Sequence, residues 1–401
     1  MQDGGLPIYL VLTIYFPTPT CWRCAYVYDL VCAIRRLRPN MRVIVVNLDA
    51  SADYRYADVE VWGGFRRFSF PMSGVFPYGL AAMNARRLQR CLQNHGLPFE
   101  RVQVVHAHLP SVGAIALVGR SMFPNAKFLV QYHHPDPSAV LGLGTLASVM
   151  CYRLYRRILS QADGVISISD FVTRMILDFP RNPPARYYPP VERSRRILRW
   201  FKPAQPKRIL LLHNGVDLEQ FNPRGRRCAG RQEFVFGCIA NFIDWKDQMS
   251  LLRALEKISP ALGQWRLRMI GSGPCRVSCE AFVREHGLQD RVSFESEVDH
   301  SKLPDFYRSL DLFVLPSYFE AFGCVFTEAW ACGTPFIACE GGGMDDMILP
   351  EERKLWLCKP MNPEDLAEKI LYYYRNRPKQ HMAGPIDINI LVSDFLGEIG
   401  V

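Results

Sequence analysis

Apolar residues in this chain fall into short continuous runs separated by stretches with helical spacing. In the first half, Ile8–Tyr15, Arg42–Asn47, Val102–His106, Lys127–Tyr132 and Gly164–Ile168 read as buried strands. Between them Ala25–Leu37, Ser111–Ser121 and Ala147–Ala162 read as helices. The alternation resumes with strands at Ile209–His213, Phe234–Ala240, Trp265–Gly271, Arg291–Phe294, Asp311–Leu315 and Phe336–Cys339. Helices are expected at Cys324–Cys332, Asn362–Arg375 and Ile388–Ile399. Repeated strand–helix units predict α/β domains with parallel, doubly wound sheets, whose ligands lie at the carboxyl ends of the strands. A chain of 401 residues is long enough for two such domains, each with its own core.

The densest chemistry lies between Leu315 and Met347. Pro316-Ser317 breaks a strand, Glu320-Ala321-Phe322-Gly323 turns the chain, and a short helix runs to Gly333-Thr334-Pro335. A second strand then leads into Gly341-Gly342-Gly343. The helix after Gly323 opens with unpaired N–H groups and a positive dipole end, which suit a phosphate. Glu320 before it and Glu328 inside it are acceptors for sugar hydroxyls. On spacing alone a second reading stands beside this one, in which Glu320 is a solvated loop residue and Glu328 caps a neighbouring helix.

The complete string resembles the donor-site motif of the family-4 glycosyltransferases. That motif runs Pro-Ser, Glu-x7-Glu, Ala-x-Ala-x-Gly-x-Pro, a strand and a glycine turn. Here it is Pro316-Ser317, Glu320 to Glu328, Ala329 to Pro335, and the Gly341 loop. Asn214-Gly215-Val216-Asp217 with Phe221 also resembles the family's entry to its second domain. The resemblance implies the GT-B fold, two Rossmann-like domains facing each other across a cleft, with the last helix crossing back to the first domain. The expected domains are 1–200 for the acceptor, 201–375 for the nucleotide-sugar, and 376–401 as a C-terminal tail or helix, with a Pro-rich linker at 181–208.

The resemblance also implies roles. Glu320, with Phe322 and Gly323, would hold the donor sugar, and Glu328 the ribose. Lys246 would meet the donor phosphates, five positions after Asn241, which stands where relatives carry an arginine. Val298 lies in the loop that receives the base, and His133 matches the family's active-site histidine after an N-domain strand. Many relatives have glycines after the first strand, whereas this chain has Phe16-Pro17-Thr18-Pro19-Thr20-Cys21-Trp22-Arg23. Arg23 or Thr20 would have to replace those phosphate contacts, and Trp22 would shape an acceptor pocket. The implied reaction is retaining transfer from a nucleotide-sugar, UDP- or GDP-linked, to a glycan or lipid-linked acceptor, with no metal and no further cofactor. A sugar-nucleotide epimerase on the same fold and a non-catalytic sugar-nucleotide or membrane-binding module are the alternatives.

Charge adds a partner. The segment 181–208 carries nine basic residues against Glu192 alone, in a chain whose net charge is +9. The basic character is therefore local, and it calls for an anionic surface. Its centre, 193–202, mixes arginines with Ile197, Leu198, Trp200 and Phe201. That composition fits anionic lipid headgroups. A solvated linker is the plainer reading; a nucleic-acid role lacks any accompanying module. Buried-looking cysteines such as Cys32, Cys238 and Cys339 suit a reducing cytoplasm, and no membrane-spanning run is present. Cys21 and Cys24 form a C-x-x-C with no second pair, and His106 and His108 a possible metal pair with no third ligand. Hydrogen-bonded loop histidines at a strand end are the plainer reading of that pair.

Overall fold

The computed structural model describes residues 5–14, 16–18, 25–63, 77–133, 145–178, 200, 202–203, 205–226 and 231–401. The chain forms two compact units, Met1–His213 joined by Asn389–Val401, and Asn214–Ile388.

The first unit is built on eight strands: β1 (Ile8–Thr13), β2 (Arg42–Asn47), β3 (Tyr54–Tyr56), β4 (Val59–Trp62), β5 (Val102–His108), β6 (Lys127–Tyr132), β7 (Gly164–Ser167) and β8 (Ile209–Leu211). Their order is β3-β4-β2-β1-β5-β6-β7-β8. The described pairings are parallel apart from β3 with β4, which is antiparallel. Every residue of β1 is buried, as a strand covered on both faces requires. The sheet reverses direction of winding between β1 and β5, so the carboxyl ends of these strands mark its ligand edge.

Two features of this unit depart from the pattern of apolar positions. Strands β3 and β4 and the helix Pro77–Asn94 have no counterpart in the expected elements. Strand β5 also runs two residues further, so His106 and His108 are fully buried strand residues and not loop histidines. Leu109 follows them at φ 82, a left-handed conformation unusual for leucine, before the helix Pro110–Val118. The last helix, Ile388–Glu398, packs in this unit from Asn389 onward. Arg208 donates to Glu398 at 2.7 Å, Arg38 to the carbonyl of Val401 at 2.8 Å, and Phe395 packs on the His106 ring.

The second unit has six strands: β9 (Phe234–Ile239), β10 (Trp265–Ile270), β11 (Val292–Glu295), β12 (Leu312–Val314), β13 (Phe336–Cys339) and β14 (Leu357–Cys358). The order β11-β10-β9-β12-β13-β14 is that of a doubly wound dinucleotide-type sheet. Its winding reverses between β9 and β12. The loops that leave these two strands are 240–247 and 315–323, the two loops the sequence marks for chemistry.

Candidate functional site

Backbone contacts bring the loops of the second unit together. The carbonyl of Trp245 accepts from the Tyr318 amide at 3.0 Å and the Ser317 hydroxyl at 3.1 Å. Pro316-Ser317 is thus the strut that fixes the loop after β12 to the loop after β9. The Glu320 carbonyl in turn accepts from the Gly343 amide at 2.9 Å, adding the loop after β13. A Cβ on Gly343 would lie 2.2 Å from the Ala321 carbonyl oxygen, so only glycine permits this approach.

Held this way, Lys246 Nζ and the Glu320 carboxylate form a direct ion pair, each side chain 17% exposed. Phe322, two positions after Glu320, is buried. Gly323, at φ 82, is the first residue outside the helix Cys324–Ala331, and no side chain caps that end. Gly323 suits the position because a Cβ there would strike the Phe326 ring at 2.6 Å. The result is a cation, a carboxylate and the amide end of a helix beside one another at the switch point of the sheet.

Glu328 sits inside that helix and is 9% exposed. Tyr307, fully buried, donates its hydroxyl to Glu328 Oε2 at 2.8 Å. Burial first, and the neighbouring Glu328 charge second, push the Tyr307 hydroxyl well above the ordinary phenol range, so it remains a donor. His300 Nε2 lies 3.5 Å from the other oxygen, Oε1. Neither Tyr307 nor His300 is marked by the sequence; the only available signal is that both precede β12 within a dozen residues.

Asn241 is exposed at the start of the loop after β9, and its carbonyl accepts from the Gln248 side chain at 2.9 Å. Val298 is half-buried, two residues before His300. Lys246, Glu320, Phe322, Gly323 and Glu328 are therefore gathered on one edge of the second sheet, with Asn241 and Val298 on loops leaving the same edge.

His133 belongs to the first unit, directly after β6, and is 8% exposed. Its Nε2 is 2.7 Å from His108 Nδ1, with the two rings nearly parallel. His108 stacks on His106, whose Nδ1 is 2.9 Å from the Tyr9 hydroxyl, and Tyr26 packs on His133. Burial lowers His106 to about 3, and burial, then the charges of His106 and His133, take His108 well below the ordinary imidazole value. The sequence placed His133 at a site and left His108 aside; the structure makes them one hydrogen-bonded pair.

Thr20, Cys21, Trp22, Arg23, Cys24, His134 and most of 181–208 lie outside the described residues. Trp200, which is described, is 78% exposed. Among the described residues no group of three or more His, Cys, Asp or Glu is arranged to hold a metal ion, and no helix is long and apolar enough to cross a membrane.

The family model "Glycosyl transferases group 1" matches residues 227–386, the whole donor-type edge just described. The model "Glycosyltransferase Family 4" matches residues 25–195, which include the His108–His133 pair. Each match falls within one of the two units, and both are to domains named for glycosyltransferases. Among curated relatives, D-inositol 3-phosphate glycosyltransferase of Mycobacteroides abscessus is 32% identical over 176 residues, 42% of this chain and 39% of the relative. The protein of the same name from Mycobacterium tuberculosis is 37% identical over 152 residues, 35% of this chain and 31% of the relative. The match thus spans well under half of the relatives' own length. Among solved structures, sucrose-phosphate synthase from Thermosynechococcus elongatus aligns over 98% of this chain and 94% of its own with TM-score 0.68 and 20% identity. Anabaena HepE in complex with UDP-glucose aligns over 98% and 99% with TM-score 0.65 and 15% identity. These likenesses establish the GT-B fold.

Proposed function

We propose that this glycosyltransferase-domain chain is a retaining hexosyltransferase that moves a sugar from a nucleotide-sugar to a hydroxyl of a glycan or lipid-linked saccharide. The observation that carries the reading is the Lys246–Glu320 ion pair beside the uncapped helix that starts after Gly323. On this reading the donor diphosphate takes Lys246 and the helix amides. Both stabilise the negative charge that grows on the leaving phosphate. Glu320 is then released to accept from hydroxyls of the donor sugar. Glu328 holds the ribose, and Val298 borders the base. The leaving phosphate takes the acceptor proton on the face from which the acceptor attacks. This returns the original anomeric configuration. His133 is assigned to the reacting sugar.

Lys246 and the amides supply the positive field, so transfer in this proposal proceeds in the presence of EDTA. HepE binds UDP-glucose in a GT-B fold, which favours UDP among the donors. The basic segment 181–208, with exposed Trp200, supports a lipid-linked acceptor met at the inner face of an anionic membrane, as in surface polysaccharide synthesis.

The test is thermal unfolding against UDP-, GDP-, ADP- and CMP-sugars, since a ligand of the native state raises the midpoint by mass action. A rise with one base, lost in Lys246→Ala, supports the donor site. No rise with any of them overturns it.

A further inference from the structure

Glu328 offers two carboxylate oxygens, and the fold treats them differently. Oε2 accepts the Tyr307 hydroxyl at 2.8 Å, from a side chain that is completely buried and so has no alternative position. Oε1 faces His300, whose Nε2 is 3.5 Å away, at the outer limit for a direct hydrogen bond. An oxygen placed about 2.8 Å from both atoms completes the arrangement, accepting from the ring N–H and donating to the carboxylate. A sugar hydroxyl, as donor and acceptor at once, has the required chemistry.

The ring is set for this role. The Gln220 carboxamide nitrogen is 3.5 Å from His300 Nδ1 and 3.3 Å from the His300 carbonyl. Nδ1 thus faces an amide donor while Nε2 faces the Glu328 carboxylate, and an acceptor of that charge favours the ring proton on Nε2. Phe221 packs against the ring and limits its rotation. His300 and Glu328 are 8% and 9% exposed, so each is nearly buried but keeps some accessible surface.

We propose that His300 is a ligand-contacting residue of the nucleotide site, donating from Nε2 to the same ribose hydroxyl that Glu328 Oε1 accepts from, while Tyr307 anchors Oε2. The proposal rests on the nucleotide-sugar reading of this edge and adds a second protein contact to one hydroxyl. It makes His300 a determinant of ribose recognition as distinct from diphosphate recognition.

The experiment is calorimetric titration of the full chain with UDP, GDP and ADP. The diphosphate that binds is then compared with its 2′-deoxy and 3′-deoxy forms. His300→Ala is expected to weaken the ribonucleotide about tenfold, and to leave unchanged within about twofold the deoxy form that lacks the bridged hydroxyl. His300→Gln, which returns an N–H donor at similar reach, is expected to recover most of the loss. Equal weakening of the ribonucleotide and both deoxy forms, or none, overturns the role of His300 while leaving the nucleotide site intact. No binding of any diphosphate to the unaltered chain overturns both.

Discussion

His108 Nδ1 and His133 Nε2 are 2.7 Å apart, and two imidazoles this close share one proton between them. Burial of His108 disfavours charging it, so that ring is held neutral inside the first unit. A neutral imidazole has one donor and one acceptor nitrogen, and whichever ring donates across this contact, the other is oriented by it. His133 therefore meets its environment with a fixed ring plane. Replacing His108 with leucine is expected to lower transfer about tenfold or more, whereas His108→Asn, which keeps a donor near Nδ1, retains most of it. Equal activity of the two variants would disprove the orienting role.

The same burial makes the first unit sensitive to acid. His106 and His108 are depressed below the ordinary value of about 6.5, His106 to about 3. Below pH 6.5 the unfolded chain takes up protons that the folded chain does not, so stability falls as pH falls through that window. The slope is about 1.4 kcal/mol per pH unit for each histidine. The depressed carboxyls of Asp53, Asp58 and Glu352 act in the same direction, but only near and below their unfolded value of about 4. The interval from pH 6.5 to 5 thus belongs to the histidines. Urea midpoints across it should decline in the native sequence and decline less steeply in His106→Asn/His108→Asn, where His213, also lowered by burial, still contributes; an identical decline in both proteins would exclude these two residues as the cause.

Lys246→Ala should do more than remove a cation. It leaves Glu320 as an uncompensated negative charge at the proposed diphosphate position. Affinity for the nucleoside diphosphate is expected to fall by about tenfold to a hundredfold. The double variant Lys246→Ala/Glu320→Gln should recover part of that loss, because the repulsion is gone. If the double variant binds as weakly as the single one, the ion pair is structural and lies away from the phosphate.

Tyr307→Phe isolates the anchor of Glu328. The ring stays in its buried place, and only the 2.8 Å hydrogen bond is lost. Loss of one hydrogen bond to a buried carboxylate costs about 1.5–3 kcal/mol. The unfolding midpoint in urea should drop accordingly; no drop would mean that the carboxylate finds another donor.

Much of this was legible beforehand. Ala25–Leu37, Arg42–Asn47, Lys127–Tyr132 and Phe336–Cys339 have the bounds that apolar spacing gives, because each is covered by its neighbours and must be apolar on a fixed period. Strands β3 and β4 escaped because Tyr54–Tyr56 and Val59–Trp62 are too short, and β3 too exposed, to show a period. Among the candidate site residues, Glu320, Gly323, Glu328 and Lys246 are marked by a motif string, which records local order. Their pairing is not: Lys246 and Glu320 are 74 positions apart, Tyr307 and Glu328 are 21 apart, and His108 and His133 are 25 apart. Such contacts are set by the strand order and by which loops share a switch point, which a linear pattern does not carry.

Gly323→Ala separates backbone strain from crowding, given a suitable control. Gly323 and Gly341 both have left-handed backbones, at φ 82 and φ 86. A Cβ at Gly341 meets nothing within 4 Å, whereas at Gly323 it meets the Phe326 ring at 2.6 Å and Glu320 Cγ at 3.0 Å. Gly341→Ala should therefore show only the conformational cost, about 1–2 kcal/mol. Gly323→Ala adds displacement of a buried phenylalanine, and a total of about 2–4 kcal/mol is expected. It also pushes on Glu320, so its binding of a nucleotide-sugar should suffer more than its binding of the matching diphosphate, a difference Gly341→Ala should not produce. Equal losses of stability and of sugar discrimination in the two variants would show that the close packing around Gly323 has no part in holding Glu320.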